Sequence, residues 1–116
     1  MNDVEFAKRY YAVWNAHDID AILKLYSDEI EFSSPYAVAL GFSYDGVLLG
    51  KPMLRSYLEK ALERAPDLRL TPEALFVGSR GHTLVYRNQR GERMAEAHEM
   101  DALGLIVRAD ATYENT

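Results

Sequence analysis

The arrangement of segments with two-residue periodicity limits the possible folds of this chain most strongly. Four segments with alternating apolar residues follow one another in the second half of the chain, approximately over residues 69–77, 82–88, 92–101 and 105–113. Short turns that contain glycine connect them, so consecutive strands must pair antiparallel. Helical patterns precede this meander rather than alternate with it, which predicts an α+β fold and argues against a parallel βαβ sheet.

Two helices are predicted before the first strand. Residues 3–16 carry apolar side chains at helical spacing. Asn2, three residues before Glu5, resembles the start of a capping box. Asp18 can cap a second helix, whose apolar positions extend over residues 19–26. Because almost no linker separates the two helices, we expect them to pack as a hairpin or a corner.

A strand, an irregular segment and a third helix follow. The period changes to two residues at Asp28, and Pro35 ends this strand. Residues 36–50 are rich in glycine, tyrosine and alanine and have no regular period. Such a segment is typical either of a lid or pocket rim or of a surface loop. Residues 51–64 carry an apolar stripe at helical spacing, and Pro52 suits the first turn of a helix.

The composition narrows the classes of protein to which the chain can belong. With 116 residues and 48% hydrophobic content, we expect a single domain over residues 1–116 with room for one internal pocket. A net charge of −5 and the absence of basic runs argue against nucleic acid as a partner. The sequence has no cysteine, which excludes disulfides and thiolate chemistry. No apolar run reaches the ~20 residues of a membrane span, and no signal-peptide pattern is visible, so a cytoplasmic protein without a membrane partner is expected.

Glu96 is the residue most typical of a chemical site. Two-residue periodicity places Glu96 and His98 on one strand face with Met94 and Met100, so a carboxyl and an imidazole point into apolar space. Burial would raise the pKa of the carboxyl, whereas a neighbouring imidazolium would lower it. A neutral Glu96 could donate a hydrogen bond to an oxyanion, and an ionised Glu96 could act as a base with His98 as its partner. Alternatively, the two side chains satisfy each other, or Glu96 pairs with an arginine across the sheet.

Aromatic and small side chains predict a pocket near Glu96. Tyr10 lies on the apolar face of the first helix, where it belongs either to the core or to a ligand site. Ala109 and Ala111 leave space beside the helices on the last strand. The opposite face of that strand is predicted to meet solvent or a dimer partner, and its residues are Ile106, Arg108, Asp110 and Thr112. The predicted pocket residues are Trp14, Phe32, Ser34, Tyr57, Met94, Met100, Ala109, Ala111 and Tyr113.

The sequence contains no motif that predicts a cofactor or a metal ion. His17, His82 and His98 lie on different predicted elements and lack the spacing of a zinc site. Neither a glycine-rich phosphate loop nor a Gly-x-Ser-x-Gly nucleophile turn occurs. Four arginines surround the predicted turns of the meander, but Glu92 lies among them, which favours a solvated surface.

The element order resembles the nuclear transport factor 2 superfamily over nearly the whole chain. Residues 17–22 and 26–29, Gly50 before the third helix, and residues 103–108 carry this resemblance. Within the superfamily the chain is most similar to the SnoaL-like polyketide cyclase and ketosteroid isomerase branches. The resemblance implies a cone-shaped, curved antiparallel or mixed sheet wrapped around three helices, a cystatin-like roll. It also implies a homodimer formed through the sheet.

The ketosteroid isomerase branch suggests roles for three positions. By this resemblance Tyr10 corresponds to the oxyanion-hole tyrosine and Glu96 to the protonated acid. Ser34, before Pro35, replaces the general base, and a hydroxyl of ordinary pKa is a poor base at neutral pH. Classical steroid isomerisation is therefore not expected.

Three functional hypotheses follow. The first is an acid–base isomerase, cyclase or dehydratase without a metal, acting on an apolar carbonyl compound, with Tyr10 and Glu96 at the oxyanion and His98 carrying the proton. The second is a non-catalytic domain that binds a small apolar or aromatic ligand or assembles as a homodimer. The third is a purely structural dimer with a filled core.

Overall fold

The fold is a six-stranded curved sheet with helices packed against it, and the computed structural model describes residues 1–115. The helices are α1 (Asp3–Asn15), α2 (Ile19–Leu23), α3 (Pro35–Ala39) and α4 (Lys51–Arg64). The strands are β1 (Tyr26–Ser33), β2 (Val47–Leu49), β3 (Thr71–Val77), β4 (Gly81–Arg87), β5 (Arg93–Met100) and β6 (Ile106–Tyr113). These elements confirm the predicted α+β class.

The sheet has the strand order β2-β1-β6-β5-β4-β3. Strands β3 to β6 form the predicted antiparallel meander, because each is joined to the next by a short turn. β1 pairs with β6 in parallel, which places the last strand in the middle of a mixed sheet. β6 therefore joins the first strand to the meander.

The predicted helix starts are confirmed. The side chain of Asn2 accepts a hydrogen bond from the backbone N–H of Glu5 at 2.8 Å. The side chain of Asp18 accepts one from the N–H of Ala21 at 3.1 Å. Each bond satisfies a backbone donor that the helix itself leaves without a partner. Pro52 lies in the first turn of α4, as expected.

Residues 26–50 are more regular than their sequence suggests. β1 begins at Tyr26 rather than at Asp28, because α2 ends at Leu23 and the chain turns directly into the sheet. The segment predicted to be irregular contains α3 and β2, which have five and three residues. Elements this short span too few residues to produce a readable hydrophobic period.

A β-bulge changes the pattern at the start of β6. Glu99 pairs with Arg108, but its neighbour Met100 pairs with Ile106, so Val107 is an extra residue on β6. Ile106 is consequently buried, and the prediction that it faces solvent or a partner is wrong. From Arg108 onward the alternation is as predicted: Arg108, Asp110 and Thr112 are exposed.

Gly81 allows β4 to approach β5 closely. A Cβ atom at Gly81 would lie 1.9 Å from the carbonyl oxygen of His98, which belongs to the backbone of the paired strand. At Gly78, in the same hairpin, a Cβ would lie 3.7 Å from the nearest atom, an ordinary contact. The approach of the two backbones thus requires glycine at position 81.

Gly81→Ala is expected to lower the free energy of unfolding by about 1–3 kcal/mol, because one strand must shift to admit the methyl group. Gly78→Ala, the matched control, is expected to stay within about 0.5 kcal/mol of the native protein. Urea denaturation of the three proteins measures the difference. Equal midpoints for Gly81→Ala and the native protein would contradict this reading of the β4–β5 contact.

Candidate active site

A cavity of about 260 Å³ lies between helices α1, α3 and α4 and one face of the sheet. Seven aromatic side chains line it, namely Tyr10, Trp14, Phe32, Tyr36, Tyr57, Tyr86 and Tyr113. Glu96, on the central strand β5, contributes a carboxyl to the same cavity. Glu96 is buried among these rings, where each hydrogen bond to its carboxyl is worth more than in water.

Three donors surround the buried carboxyl of Glu96. The Tyr10 hydroxyl donates to Oε2 at 2.7 Å, and the Tyr86 hydroxyl donates to Oε1 at 2.9 Å. Nε2 of His98 lies 2.5 Å from Oε2. Of the two alternatives considered for a structural role, the structure therefore has the pairing of Glu96 with His98 and not a bond to an arginine.

These contacts determine the charge of Glu96. Burial raises the pKa of its carboxyl, but the positive charge of His98 and the hydrogen bonds from His98, Tyr10 and Tyr86 outweigh burial, so the pKa lies below its ordinary value. Glu96 is thus a carboxylate at neutral pH. A carboxylate only accepts hydrogen bonds, so it can hold donors or take a proton but cannot donate to an oxyanion.

The pKa values of the Tyr10 and Tyr86 hydroxyls are raised, whereas that of Glu96 is lowered. Burial raises the pKa values of Tyr10 and Tyr86, and the negative charge of Glu96 raises them further. Both hydroxyls therefore keep their protons and remain hydrogen-bond donors. Tyr86 was missed in the sequence, although two-residue periodicity from His82 through Leu84 places it on the inward face of β4.

The cavity also contains polar atoms without a partner in the described part of the chain. Nε1 of Trp14 and Oε1 of Gln89 are both buried and make no hydrogen bond within residues 1–115. Both residues line the cavity. Buried polar atoms are normally satisfied, so these two are natural contacts for a bound polar group.

His98 lies behind Glu96 rather than in the cavity wall. Its Nδ1 atom is 2.9 Å from Nε2 of His82, and Nδ1 of His82 is 2.9 Å from Oδ1 of Asp3. No local pattern in the sequence links His82 to His98, because the link depends on register: the two residues are directly opposite on β4 and β5. Asp3 was missed for the same reason, since only packing brings α1 over these strands.

Most of the predicted pocket residues line the cavity, and two do not. Those that do are Trp14, Phe32, Ser34, Tyr57, Met94, Ala111 and Tyr113. Ala109 is completely buried and lies in register between Phe32 and His98, whose larger side chains fill the space beside it. Met100 lies at the far end of β5, beyond the bulge, and lines a different depression together with Asp3 and His82.

Ser34 has a structural task at the rim of the cavity. Its hydroxyl oxygen accepts a hydrogen bond from the backbone N–H of Tyr36 at 3.2 Å and caps α3. Tyr36 in turn lines the cavity, so the segment predicted to be either a rim or a loose loop forms part of the rim. The hydroxyl oxygen thus has a capping role, and its ordinary chemistry fits the expectation that Ser34 is not a general base.

The family profile of the SnoaL-like domain matches residues 7–110, which is most of the chain. The protein belongs to the SnoaL-like domain family. This membership confirms the resemblance to the nuclear transport factor 2 superfamily that the element order suggested. Among residues 1–115 of this SnoaL-like protein, no helix is long and apolar enough to cross a membrane.

A crystal structure of a SnoaL-like protein of unknown function from Burkholderia thailandensis is similar throughout. The two sequences are 33% identical, the alignment covers 97% of this chain and 94% of that one, and the TM-score is 0.91. No curated protein matches the sequence.

Two structures with a named biochemical context share the fold. TerC, co-crystallised with polyporic acid, is 18% identical, with 97% of this chain and 91% of that one covered and a TM-score of 0.79. SalBIII, an epoxide hydrolase/cyclase-like enzyme of pyran ring formation in the polyether salinomycin, is 16% identical, with coverage of 97% and 90% and a TM-score of 0.71. At these identities the similarity shows only that the SnoaL-like protein shares the fold of TerC and SalBIII.

Proposed function

We propose that this SnoaL-like protein is an acid–base enzyme that isomerises, cyclises or dehydrates a small apolar carbonyl compound. The observation that carries the proposal is the buried carboxylate of Glu96, which faces an aromatic cavity and holds two phenol donors. A buried base and hydrogen-bond donors within one site are the groups that enolate chemistry requires.

The proposed reaction begins with binding of the substrate carbonyl against the phenols. Tyr10 and Tyr86 donate to Glu96 in the free protein, and either hydroxyl can turn to donate to a carbonyl oxygen instead. Glu96 Oε1 accepts one hydrogen bond whereas Oε2 accepts two, so Oε1 has more capacity to take a proton. The C–H bond next to the carbonyl breaks, the proton moves to Oε1, and the electron pair forms an enolate held by the phenols.

The fate of the enolate distinguishes the three reaction types. Return of the proton from Glu96 to a different carbon isomerises the substrate. Attack of the enolate carbon on a second carbonyl carbon of the same molecule closes a ring, and the alkoxide that forms takes the proton from Glu96. Expulsion of hydroxide from the β-carbon, with a proton delivered to it, dehydrates the substrate. Each uses the same base and the same oxyanion donors.

The size and lining of the cavity limit the substrate. A cavity of ~150 Å³ is enough to admit benzene, and the cavity of about 260 Å³ is less than twice that volume. A compound of one or two rings therefore fits. The aromatic walls favour stacking on a flat ring, and the partnerless Nε1 of Trp14 suits an acceptor group on the ligand.

A non-catalytic binding domain is the second candidate. The lowered pKa of Glu96 favours it, because a weaker base is less able to remove a proton from carbon. The hydroxyl of Ser34, which caps α3, offers no second base. Under this hypothesis the same ligands bind and are released unchanged.

A thermal-shift screen with phenols, enones and hydroxylated bicyclic compounds tests the proposed site. A ligand at a hundred times its dissociation constant is expected to stabilise the native protein by about 2.7 kcal/mol. Glu96→Gln is expected to abolish the stabilisation by phenolic ligands, whereas Glu99→Gln, on the other face of β5, leaves it intact. The same stabilisation in Glu96→Gln would contradict a ligand contact at Glu96.

A further inference from the structure

Four titratable side chains form a continuous hydrogen-bonded chain from the surface of α1 to the cavity. Asp3 bonds to His82, His82 to His98, and His98 to Glu96, over distances of 2.9, 2.9 and 2.5 Å. The side chain of Asp3 is 38% exposed, whereas those of His82, His98 and Glu96 are 1%, 0% and 3% exposed. The chain thus begins in solvent and ends beside the carboxylate of the proposed site.

Counting donors and acceptors fixes the number of protons in this chain. Both ends are carboxylates, which only accept, so the ring nitrogens that face Asp3 and Glu96 must each carry a proton. The bond between the two imidazoles needs one further proton. Three protons on two rings make one net positive charge, because a neutral imidazole carries one proton. The third proton can reside on Nε2 of His82 or on Nδ1 of His98.

We propose that Asp3, His82 and His98 form a proton relay that exchanges protons between solvent and the imidazole pair bonded to Glu96. The value of this relay for turnover rests on the proposed function, but the exchange itself requires no substrate. When Glu96 takes a proton, the relay would release one proton from the imidazole pair to solvent, and when Glu96 returns its proton to the product the pair would take one back, so the total charge of the buried cluster stays constant.

The steps of the relay balance without an additional reactant. When Glu96 takes a proton, the positive charge on the imidazole pair loses its partner. The proton between the rings moves from Nδ1 of His98 to Nε2 of His82. The Nδ1 proton of His82 moves to Asp3, and Asp3 releases it to water. Return of a proton from water to Asp3 reverses each step.

The surroundings of the two histidines suit a proton that moves. Burial lowers the pKa of His82 and outweighs the bond to Asp3, which raises it. The charge of His98 also lowers the pKa of His82, and Arg9, Lys24 and Met1 line the depression beside His82. On the inner side, Tyr10 and Glu96 face His98. One shared charge is therefore favoured on the pair, since carboxylates lie at both ends and cations lie near the outer end.

The test measures the exchange of imidazole protons with solvent in protein labelled with ¹⁵N-histidine. Asp3→Asn removes the outer acceptor and is expected to slow exchange at His98 by about tenfold, since a partner charge changes protonation by about one pH unit or more. Glu5→Gln is the matched control, because it removes an equal charge from the same turn of α1 without touching His82. Its exchange rate is expected to equal that of the native protein, and Asp3→Glu is expected to restore fast exchange.

Two results would overturn the relay. Unchanged exchange in Asp3→Asn would mean that protons reach His98 by another route. Equal slowing in Asp3→Asn and Glu5→Gln would mean that only the total charge of the helix end matters. The proposed function is tested separately: loss of turnover in Glu96→Gln with normal exchange in Asp3→Asn would retain the enzyme and reject the relay. Slowed exchange without any turnover would retain the relay and reject the enzyme.

Discussion

Glu96→Gln is expected to reduce turnover by about 100-fold to 10,000-fold, the range that a positioned general base supplies. Glutamine preserves the length and shape of the side chain, but its amide cannot take a proton from carbon. The amide NH₂ also turns a donor toward Tyr10, Tyr86 or His98, each of which donates to the carboxylate in the native protein. The measurement is the kcat of each protein. Its substrate is the compound that stabilises the native protein most among those that the native protein converts.

A matched control makes this result specific. Glu99→Gln removes a carboxylate from the opposite face of β5 and is expected to leave kcat unchanged. If Glu96→Gln instead turns over at the native rate, Glu96 is not the base, and the aromatic cavity binds its ligand without the proposed chemistry.

Glu96→Leu is expected to lower the free energy of unfolding by about 3–5 kcal/mol, which is the usual effect of removing one member of a buried charged pair. Leucine leaves the phenols of Tyr10 and Tyr86 and one ring nitrogen of His98 without an acceptor in a buried site. At roughly 4–8 °C per kcal/mol for domains near this size, the melting temperature falls steeply. Urea and thermal unfolding at neutral pH provide the measurement.

The pH dependence of the destabilisation in Glu96→Leu shows how much of it comes from the lost charge. The pKa of Glu96 is lower in the folded protein than in the unfolded chain. Its ionisation therefore stabilises the fold fully above the ordinary carboxyl pKa of about 4.3 and ceases to do so as the pH falls through the lower folded value. The difference between native protein and Glu96→Leu should shrink in acid. A difference that stays constant through this range would indicate lost packing rather than lost charge.

The sequence predicted those features that depend on neighbouring residues. Asn2 and Asp18 were identified as helix caps because a cap needs only the next three residues. The position of Glu96 and His98 on one face followed from the period of a single strand. Ile106 was misplaced because the bulge at Val107 arises from pairing with β5, which no local pattern encodes.

Two features of the site could not be predicted without the three-dimensional structure. They are the charge of Glu96 and the contacts that link His98 to His82 and Asp3. The sequence left the protonation of Glu96 open, because the answer depends on three donors from α1, β4 and β5. His82 was treated as isolated, since its position opposite His98 depends on the β4–β5 register. Ala109 was expected to line the cavity because its side chain is small. The space beside it is filled by Phe32 and His98 on the two neighbouring strands, and their position depends on strand pairing.

The central position of β6 has a consequence for biosynthesis. Until residues 106–113 have left the ribosome, β1 is paired with β2 alone, and β5 presents an open edge on the side that β6 later covers. The two parts of the sheet cannot join before that moment, so the nascent chain carries unpaired strand edges until β6 emerges. Such edges invite pairing with other chains. Completion of this sheet therefore has to wait until β6 is available for pairing.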